Sequence, residues 1–191
     1  MGNIIIPFII SVVISLFMTP VAKTLAVKVG AVDIPKDERR VHKKPMPLMG
    51  GVAIYLSIII TSLIFLPVDR TFISIIVGGT IIFISGIIDD IKGLSPRAKL
   101  VFQIGAAIVL ILGDVKIEAL TNPFTKSSKL IPLNGFGIPI TIFWIVGITN
   151  TLNLIDGLDG LAAGVAMIAS LSFLFVANKF DYISIMAISS I

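Results

Sequence analysis

Long apolar runs separated by short polar stretches dominate the chain. The hydrocarbon core of a bilayer is about 30 Å thick and takes roughly 20 helical residues at about 1.5 Å each. Six runs approach or reach that length, at residues 4–22, 48–66, 71–88, 100–113, 136–152 and 161–177, and a seventh covers 182–191. The fourth run is short and is expected to gain a turn from residues 96–99. The pattern predicts an all-α fold, a polytopic transmembrane helical bundle of six spans plus a truncated seventh.

The composition changes the range of plausible chemistry. Hydrophobic residues make up 56% of the chain and charged residues 14%, against roughly 45–50% and about 25% in soluble domains, which excludes a soluble globular domain. Cysteine is absent and His42 is the only histidine, so no disulfide framework or thiolate zinc site is expected. Any metal is expected to bind oxygen ligands, which favours Mg²⁺, with Mn²⁺ as the alternative. No linker separates two regions, so residues 1–191 are predicted to form a single transmembrane domain.

The distribution of cations predicts the orientation in the membrane. The loops after the first and third spans carry seven and three cations, which together are ten of the fifteen in the chain. Cytoplasmic loops are enriched in Lys and Arg, so we expect these loops inside the cell and the N-terminus outside. The net charge of +4 is explained by this bias and by anionic lipid headgroups, and no nucleic-acid partner is expected.

Two acidic residues stand together at the end of the third span. Asp89 and Asp90 follow an uncharged run of eighteen residues, 71–88. Acids at the C-terminal end of a helix face the negative end of its dipole and are disfavoured there. They are therefore either solvated helix ends, with Lys92 as a local partner, or functional groups.

A second polar cluster lies between the fifth and sixth spans, where polar side chains recur every third residue. They are Asn150, Asn153, Asp156 and Asp159. Positions three apart drift by about 60° per step around a helix, so one continuous polar stripe does not explain them. Gly157 and Gly160 favour a break, with the asparagines ending one span and the aspartates beginning the next. Helix capping would explain the aspartates but not the asparagines, so we interpret the cluster as functional.

Cations on the same predicted membrane face suit phosphate binding. They are Arg39, Arg40, Lys43, Lys44, Arg97 and Lys99, and for any one of them alone a solvated loop residue is the favoured interpretation. Carboxylates, amide oxygens and cations at one face indicate chemistry on phosphates with an oxygen-bound divalent metal. The membrane location indicates a lipid-borne substrate, and together these features predict phosphoryl or phosphosugar transfer to a lipid phosphate.

Three segments carry a resemblance to an enzyme family: residues 33–51, residues 89–99 and residues 150–162. The last segment begins with Asn-x-x-Asn-x-x-Asp-Gly-x-Asp-Gly over residues 150–160. They resemble the polyprenyl-phosphate N-acetylhexosamine-1-phosphate transferases, glycosyltransferase family 4. Within the family, the motif sequences are most similar to those of the undecaprenyl-phosphate N-acetylglucosaminyl-1-phosphate transferase branch, whose members initiate the synthesis of teichoic acid, O-antigen and related surface glycans. The resemblance covers nearly the whole chain.

The resemblance implies a reaction at the cytoplasmic face of the plasma membrane. A UDP-sugar, undecaprenyl phosphate and Mg²⁺ would give a polyprenyl-diphospho-sugar and UMP. Direct attack by the acceptor, with Asp89 as base, is favoured over the alternative in which an aspartate first takes the phosphosugar; the residues themselves do not distinguish the two routes. The resemblance implies catalytic acids at Asp89, Asp90, Asp156 and Asp159, a metal ligand at Asn153 and a basic residue near the phosphates at Lys99. From the cation pattern and the asparagine cluster, we add Asn150, Arg97 and Lys44 as predicted substrate-binding residues.

The chain departs from the family pattern in its length. Family members have ten or eleven spans, a later Gly-Asp loop that supplies another Mg²⁺ ligand, and a His-rich sugar-recognition loop. The chain is therefore expected to be the N-terminal part of a longer enzyme and to be inactive alone.

Other functions are less consistent with the pattern. The phospho-N-acetylmuramoyl-pentapeptide transferases of peptidoglycan synthesis are the alternative within the family. A transporter with a carboxylate ion path is the alternative of another class, but it would need acids accessible from both sides, and all four acids lie at one predicted face. A purely structural anchor leaves the asparagines unexplained.

Overall fold

The computed structural model describes residues 2–33, 45–122, 130–156 and 160–179, together with residues 189 and 191. The helices in these ranges are α1 (Gly2–Val29), α2 (Gly50–Phe65), α3 (Arg70–Lys92), α4 (Pro96–Leu112), α5 (Gly137–Ile155) and α6 (Leu161–Lys179). Each of the six predicted spans falls on one of them, which confirms a helical membrane fold. Most of the seventh run lies outside the described residues.

Length and apolar composition distinguish the helices. Within the described residues, four segments are long and apolar enough to cross a membrane: Ile4–Val29, Arg70–Lys92, Asn134–Ile155 and Leu161–Lys179. Helix α2 is apolar but shorter. Helix α4 begins at Pro96, so it contains the extra turn predicted for the short fourth run. Its N-terminus is set by Ser95, whose hydroxyl accepts a hydrogen bond from the Ala98 nitrogen at 3.3 Å.

Helix α1 continues seven residues beyond the apolar run that predicts it. Lys23 and Lys28, expected in the following loop, therefore lie on the helix. The apolar run ends before the first charged residue, Lys23, whereas the helix continues until the backbone turns. That turn is at Gly30, whose φ of +77° is readily adopted only by glycine.

The part of the chain that the structure describes has two small antiparallel sheets between its helices. Strand β1 (Val32–Asp33) pairs with β2 (Met46–Pro47), and β3 (Ala119–Thr121) pairs with β4 (Leu130–Pro132). Strands of two or three residues are too short to show an alternating pattern, so hydropathy does not predict them. A 3₁₀ turn, Asn134–Phe136, leads from β4 into α5.

The chain forms two compact units. Unit 1 consists of Met1–Val68, Gly86–Gly93 and Ile155–Ile191, and unit 2 consists of Asp69–Ser85 and Leu94–Leu154. Helix α3 contributes its last turns to unit 1 and the rest to unit 2. That all 191 residues form one transmembrane domain stays a prediction.

In unit 1, α1 and α2 pack against each other through small residues. The buried residues repeat at intervals of four, as Pro7 and Ser11 and then Ala22 and Ala26 on α1, and as Ala53, Ser57 and Thr61 on α2. Small residues allow helix backbones to approach closely where lipid offers no hydrophobic driving force. Ala26 also joins a core with Ala31 and Met49, against which Ile87 of α3 packs.

In unit 2, the start of α3 is tied to the end of α4. The Arg70 guanidinium donates to the Leu112 carbonyl at 2.6 Å, and the Thr71 hydroxyl donates to the Gly113 carbonyl at 3.2 Å. These bonds satisfy carbonyls that a helix end leaves without partners. At Gly78 the two helices are so close that an added Cβ would lie 3.2 Å from Leu110 Cγ.

Candidate active site

The paired acids predicted at the end of the third span lie in the last turn of α3. Asp89 and Asp90 are half-buried, and the helix continues past them to Lys92. Ile87 lies two residues before Asp89 and three before Asp90, and it packs against the core of unit 1. This contact holds the turn that carries the two acids in place. Gly93 then ends the helix with a φ of +71°.

The cations Arg97 and Lys99 lie in the first turn of α4. Arg97 is exposed and Lys99 is half-buried. Cations at a helix N-terminus oppose the dipole, as do acids at a C-terminus, and each such charge is disfavoured by about 0.3–1 kcal/mol. The acids of α3 and the cations of α4 both oppose the dipoles of their helices. Helix stability therefore does not explain them, whereas an anionic ligand would suit the cations.

The two asparagines lie near the C-terminal end of α5, in unit 2. Asn153 is exposed, in the last turn. Asn150, three residues earlier, is half-buried, and its amide contacts protein groups. Its Nδ2 donates to the Val146 carbonyl at 2.9 Å and to Gln103 Oε1 at 2.8 Å, and its Oδ1 accepts from Gln103 Nε2 at 3.3 Å.

Sequence reasoning did not identify Gln103 as a candidate. It is the only polar side chain in the run 100–113 before Gly113, and it is buried, with 5% of its surface exposed. A lone amide within an apolar span is the signal that could have identified it, because such groups need a partner in a membrane.

The predicted break between the fifth and sixth spans is confirmed, but Asp156 directly follows α5 and does not begin the sixth span as expected, because α6 starts only after the turn at Gly160. Helix α5 ends at Ile155, Asp156 follows in a turn with an exposed side chain, and α6 begins at Leu161. Gly160 adopts a φ of +76° before α6, as expected for a glycine that allows the chain to turn. Asp159 and Lys44 lie outside the described residues, and their roles stay predictions.

The units divide the described candidates into two groups. Unit 1 contains Asp89, Asp90 and Asp156, and unit 2 contains Arg97, Lys99, Asn150 and Asn153. In the described ranges, no three acidic or histidine side chains form a metal-binding group. Mg²⁺ is commonly bound through one or two carboxylates together with waters and substrate phosphates. The oxygen donors present therefore fit this ion chemically without a cluster of three acids.

Comparison with known proteins gives the same family as the motifs. The sequence profile of glycosyl transferase family 4 matches residues 72–191. The chain is 39% identical, over 99% of its length, to a probable undecaprenyl-phosphate N-acetylglucosaminyl 1-phosphate transferase of Bacillus subtilis, and it covers 52% of that protein. It is 36% identical, over 84% of its length, to a decaprenyl-phosphate N-acetylglucosaminephosphotransferase of Mycolicibacterium smegmatis, covering 41% of it.

A relative named for a different activity is also similar. The chain is 34% identical, over 89% of its length, to the phospho-N-acetylmuramoyl-pentapeptide-transferase of Caldanaerobacter subterraneus subsp. tengcongensis, and it covers 56% of that protein. The chain thus spans about half the length of the curated relatives it matches. Because the family profile covers more than half of the chain and the helices are those of a membrane protein, this chain belongs to glycosyl transferase family 4.

Proposed function

We propose that the whole protein transfers N-acetylglucosamine 1-phosphate from its UDP-sugar to undecaprenyl phosphate and releases UMP. The observation that carries this proposal is the 39% identity, over nearly the whole chain, to the Bacillus subtilis relative named for such a transfer. The paired acids of α3 and the cations of α4 support it, because positive charge stabilises a reaction between two phosphates and a carboxylate can accept the proton of an acceptor phosphate that is still protonated. The reaction would take place at the cytoplasmic face of the plasma membrane, as the first membrane step of a surface glycan.

The bond changes define what the residues must do. A phosphate oxygen of the acceptor attacks the phosphorus that carries the sugar, a new P–O bond forms, and the bond to the oxygen of UMP breaks. In this proposal Asp89 accepts the proton of the acceptor phosphate, and Asp90, Asp156 and Asp159 provide the other acids. Such a reaction depends mainly on positioning and electrostatic stabilisation.

Positive charge and amide groups bind the substrates in this proposal. Arg97, Lys99 and Lys44 contribute charge-assisted hydrogen bonds to phosphate oxygens. The sequence predicts Asn150 as a substrate-binding residue, but both of its amide N–H groups donate within the protein, so this proposal gives it no contact with substrate. Asn153 contributes an amide oxygen to Mg²⁺, and its exposed position on α5 leaves that oxygen accessible. When bound, the ion would neutralise negative charge on the diphosphate.

The decisive experiment offers the whole protein two donors. Membranes containing it are incubated with undecaprenyl phosphate and either UDP-N-acetylglucosamine or UDP-N-acetylmuramoyl-pentapeptide, and lipid product and UMP are measured with and without Mg²⁺. We expect lipid product and UMP in equal amounts from the first donor only. Transfer from the muramoyl donor alone would favour the function named for the Caldanaerobacter relative. No transfer from either donor would refute the proposal.

A further inference from the structure

The buried amide of Gln103 is unusual for its position. It lies seven residues into α4, about 10 Å from the start of the helix, in a stretch without charged residues. A buried polar group in an apolar environment is costly unless it is hydrogen-bonded. Gln103 therefore needs a partner, and its partner comes from another helix.

That partner is Asn150, and the two side chains form a reciprocal bridge. Each amide donates to the oxygen of the other, at 2.8 Å from Asn150 and at 3.3 Å from Gln103. The second N–H of Asn150 donates to the Val146 carbonyl in its own helix. Both N–H groups of Asn150 are thus used within the protein, and the side chain is fixed by α4 on one side and by α5 on the other.

The bridge lies at the end of α5 that carries Asn153, the proposed Mg²⁺ ligand. Asn153 is three residues after Asn150, which is less than one helical turn. The opposite end of α5 is tied separately, since the Thr141 hydroxyl accepts from the Ile117 nitrogen at 2.9 Å and donates to the Gly137 carbonyl at 2.7 Å. The two ties can therefore be removed independently.

We propose that Gln103 is a positioning residue that, through its bridge to Asn150, fixes the last turns of α5 and so the place of Asn153. This inference rests on the proposed transferase function. It gives Asn150 a structural role as the partner of Gln103, whereas the sequence predicts that Asn150 contacts substrate directly. The two roles of Asn150 predict different effects on activity when the side chains of Gln103 and Asn150 are exchanged.

Exchange of the two amides provides the test. Q103N shortens one side of the bridge by one methylene and N150Q lengthens the other, whereas the double variant Q103N/N150Q keeps the total number of methylenes. In the whole protein we expect kcat to fall at least tenfold in each single variant, with KM for the UDP-sugar within twofold of wild type. The exchange should restore kcat to within about threefold of wild type, because two amides again span the same gap.

A matched variant separates positioning from general stability. T141V removes the tie at the other end of α5, far along the helix from Asn153. We expect T141V to lower Tm by as much as Q103N while leaving kcat within twofold of wild type. Equal loss of kcat in both variants at equal loss of Tm would show a purely structural role and overturn the inference. If Q103N does not accumulate, N150Q and the exchange variant make the same comparison.

The remaining outcomes are also decisive. A KM that rises tenfold in N150Q and stays high in the exchange variant would show that Asn150 contacts substrate directly, which would overturn the inference. An active wild type whose exchange variant is no better than the single variants would also overturn it, while leaving the proposed function intact. An inactive wild type with every donor would refute the proposed function, and the inference with it.

Discussion

The main-chain nitrogen of Gly93 donates to the carbonyl oxygen of Asp89 at 2.8 Å, and this bond closes the last turn of α3. The φ of +71° at Gly93 then directs the chain away from the helix axis. A helix end of this kind uses glycine because a side chain crowds the backbone in the left-handed region. The same turn carries the two acids that the sequence singles out.

Replacing Gly93 with alanine should therefore destabilise the protein. The positive φ costs an L-residue about 1–2 kcal/mol, so Tm measured in detergent should fall. Gly86 is the matched control, because it lies inside the same helix and an added Cβ would meet no atom within 4 Å. Alanine there should be neutral or stabilising by up to about 1 kcal/mol. A Gly93→Ala protein as stable as Gly86→Ala would contradict the assigned role of the turn.

Removing the charge of either acid in α3 should abolish most of the activity. Asp89→Asn and Asp90→Asn keep the size of the side chain, and loss of a general base typically lowers the rate by about 10²-fold or more. Turnover of the whole protein with UDP-N-acetylglucosamine measures this. Asp114→Asn is the control, since Asp114 is exposed and its ion pair with Arg70, at 3.6 Å, is a surface pair of little energetic worth. Near-normal rates in both acid variants, at normal expression, would leave these residues as solvated helix ends.

A buried hydroxyl in unit 1 predicts a stabilising substitution. Thr61 has no exposed surface, and its Oγ1 has no hydrogen-bond partner within the part of the chain that the structure describes. Valine has nearly the same shape as threonine and no polar atom in its side chain. Thr61→Val should therefore raise Tm and increase the free energy of unfolding by up to about 1 kcal/mol.

Thr141→Val is the matched comparison for that substitution. The Thr141 hydroxyl makes two hydrogen bonds, so its loss should cost about 1–3 kcal/mol. Differential scanning fluorimetry of both variants decides the question. A lower Tm for Thr61→Val than for Thr141→Val would show that Thr61 has a partner in solution.

The absence of native cysteine allows a direct test of topology. Ten of fifteen cations lie in the loops after the first and third predicted spans, so these loops should be cytoplasmic. A cysteine introduced at Val41 should resist an impermeant thiol reagent added to intact cells and react after the cells are opened. A cysteine at Glu118, whose side chain is 76% exposed, should react from outside. The reverse labelling pattern would invert the orientation.

The sequence by itself determines where the helices lie and where several of them begin or end. Apolar length is sufficient for this, because a backbone in hydrocarbon must satisfy its own hydrogen bonds and a helix does so locally. Ser95 before Pro96 marks the start of α4, and Gly160 marks the turn before α6, since capping and positive φ are properties of neighbouring residues. The paired acids and the asparagine cluster are visible for the same reason, as polar groups at the edges of apolar runs.

Only the tertiary structure decides which of these groups are bonded to one another. Gln103 and Asn150 are 47 positions apart, and Arg70 and Leu112 are 42 apart. No local pattern encodes such pairs, because they depend on which helix faces meet after packing. Packing also contributes to the continuation of α1 as far as the turn at Gly30, since Ala26, beyond the predicted end of the span, is buried in a core with Ala31 and Met49. Hydropathy reports the preference of each segment for lipid, whereas helix contacts are set by the shape and hydrogen bonding of side chains from distant segments.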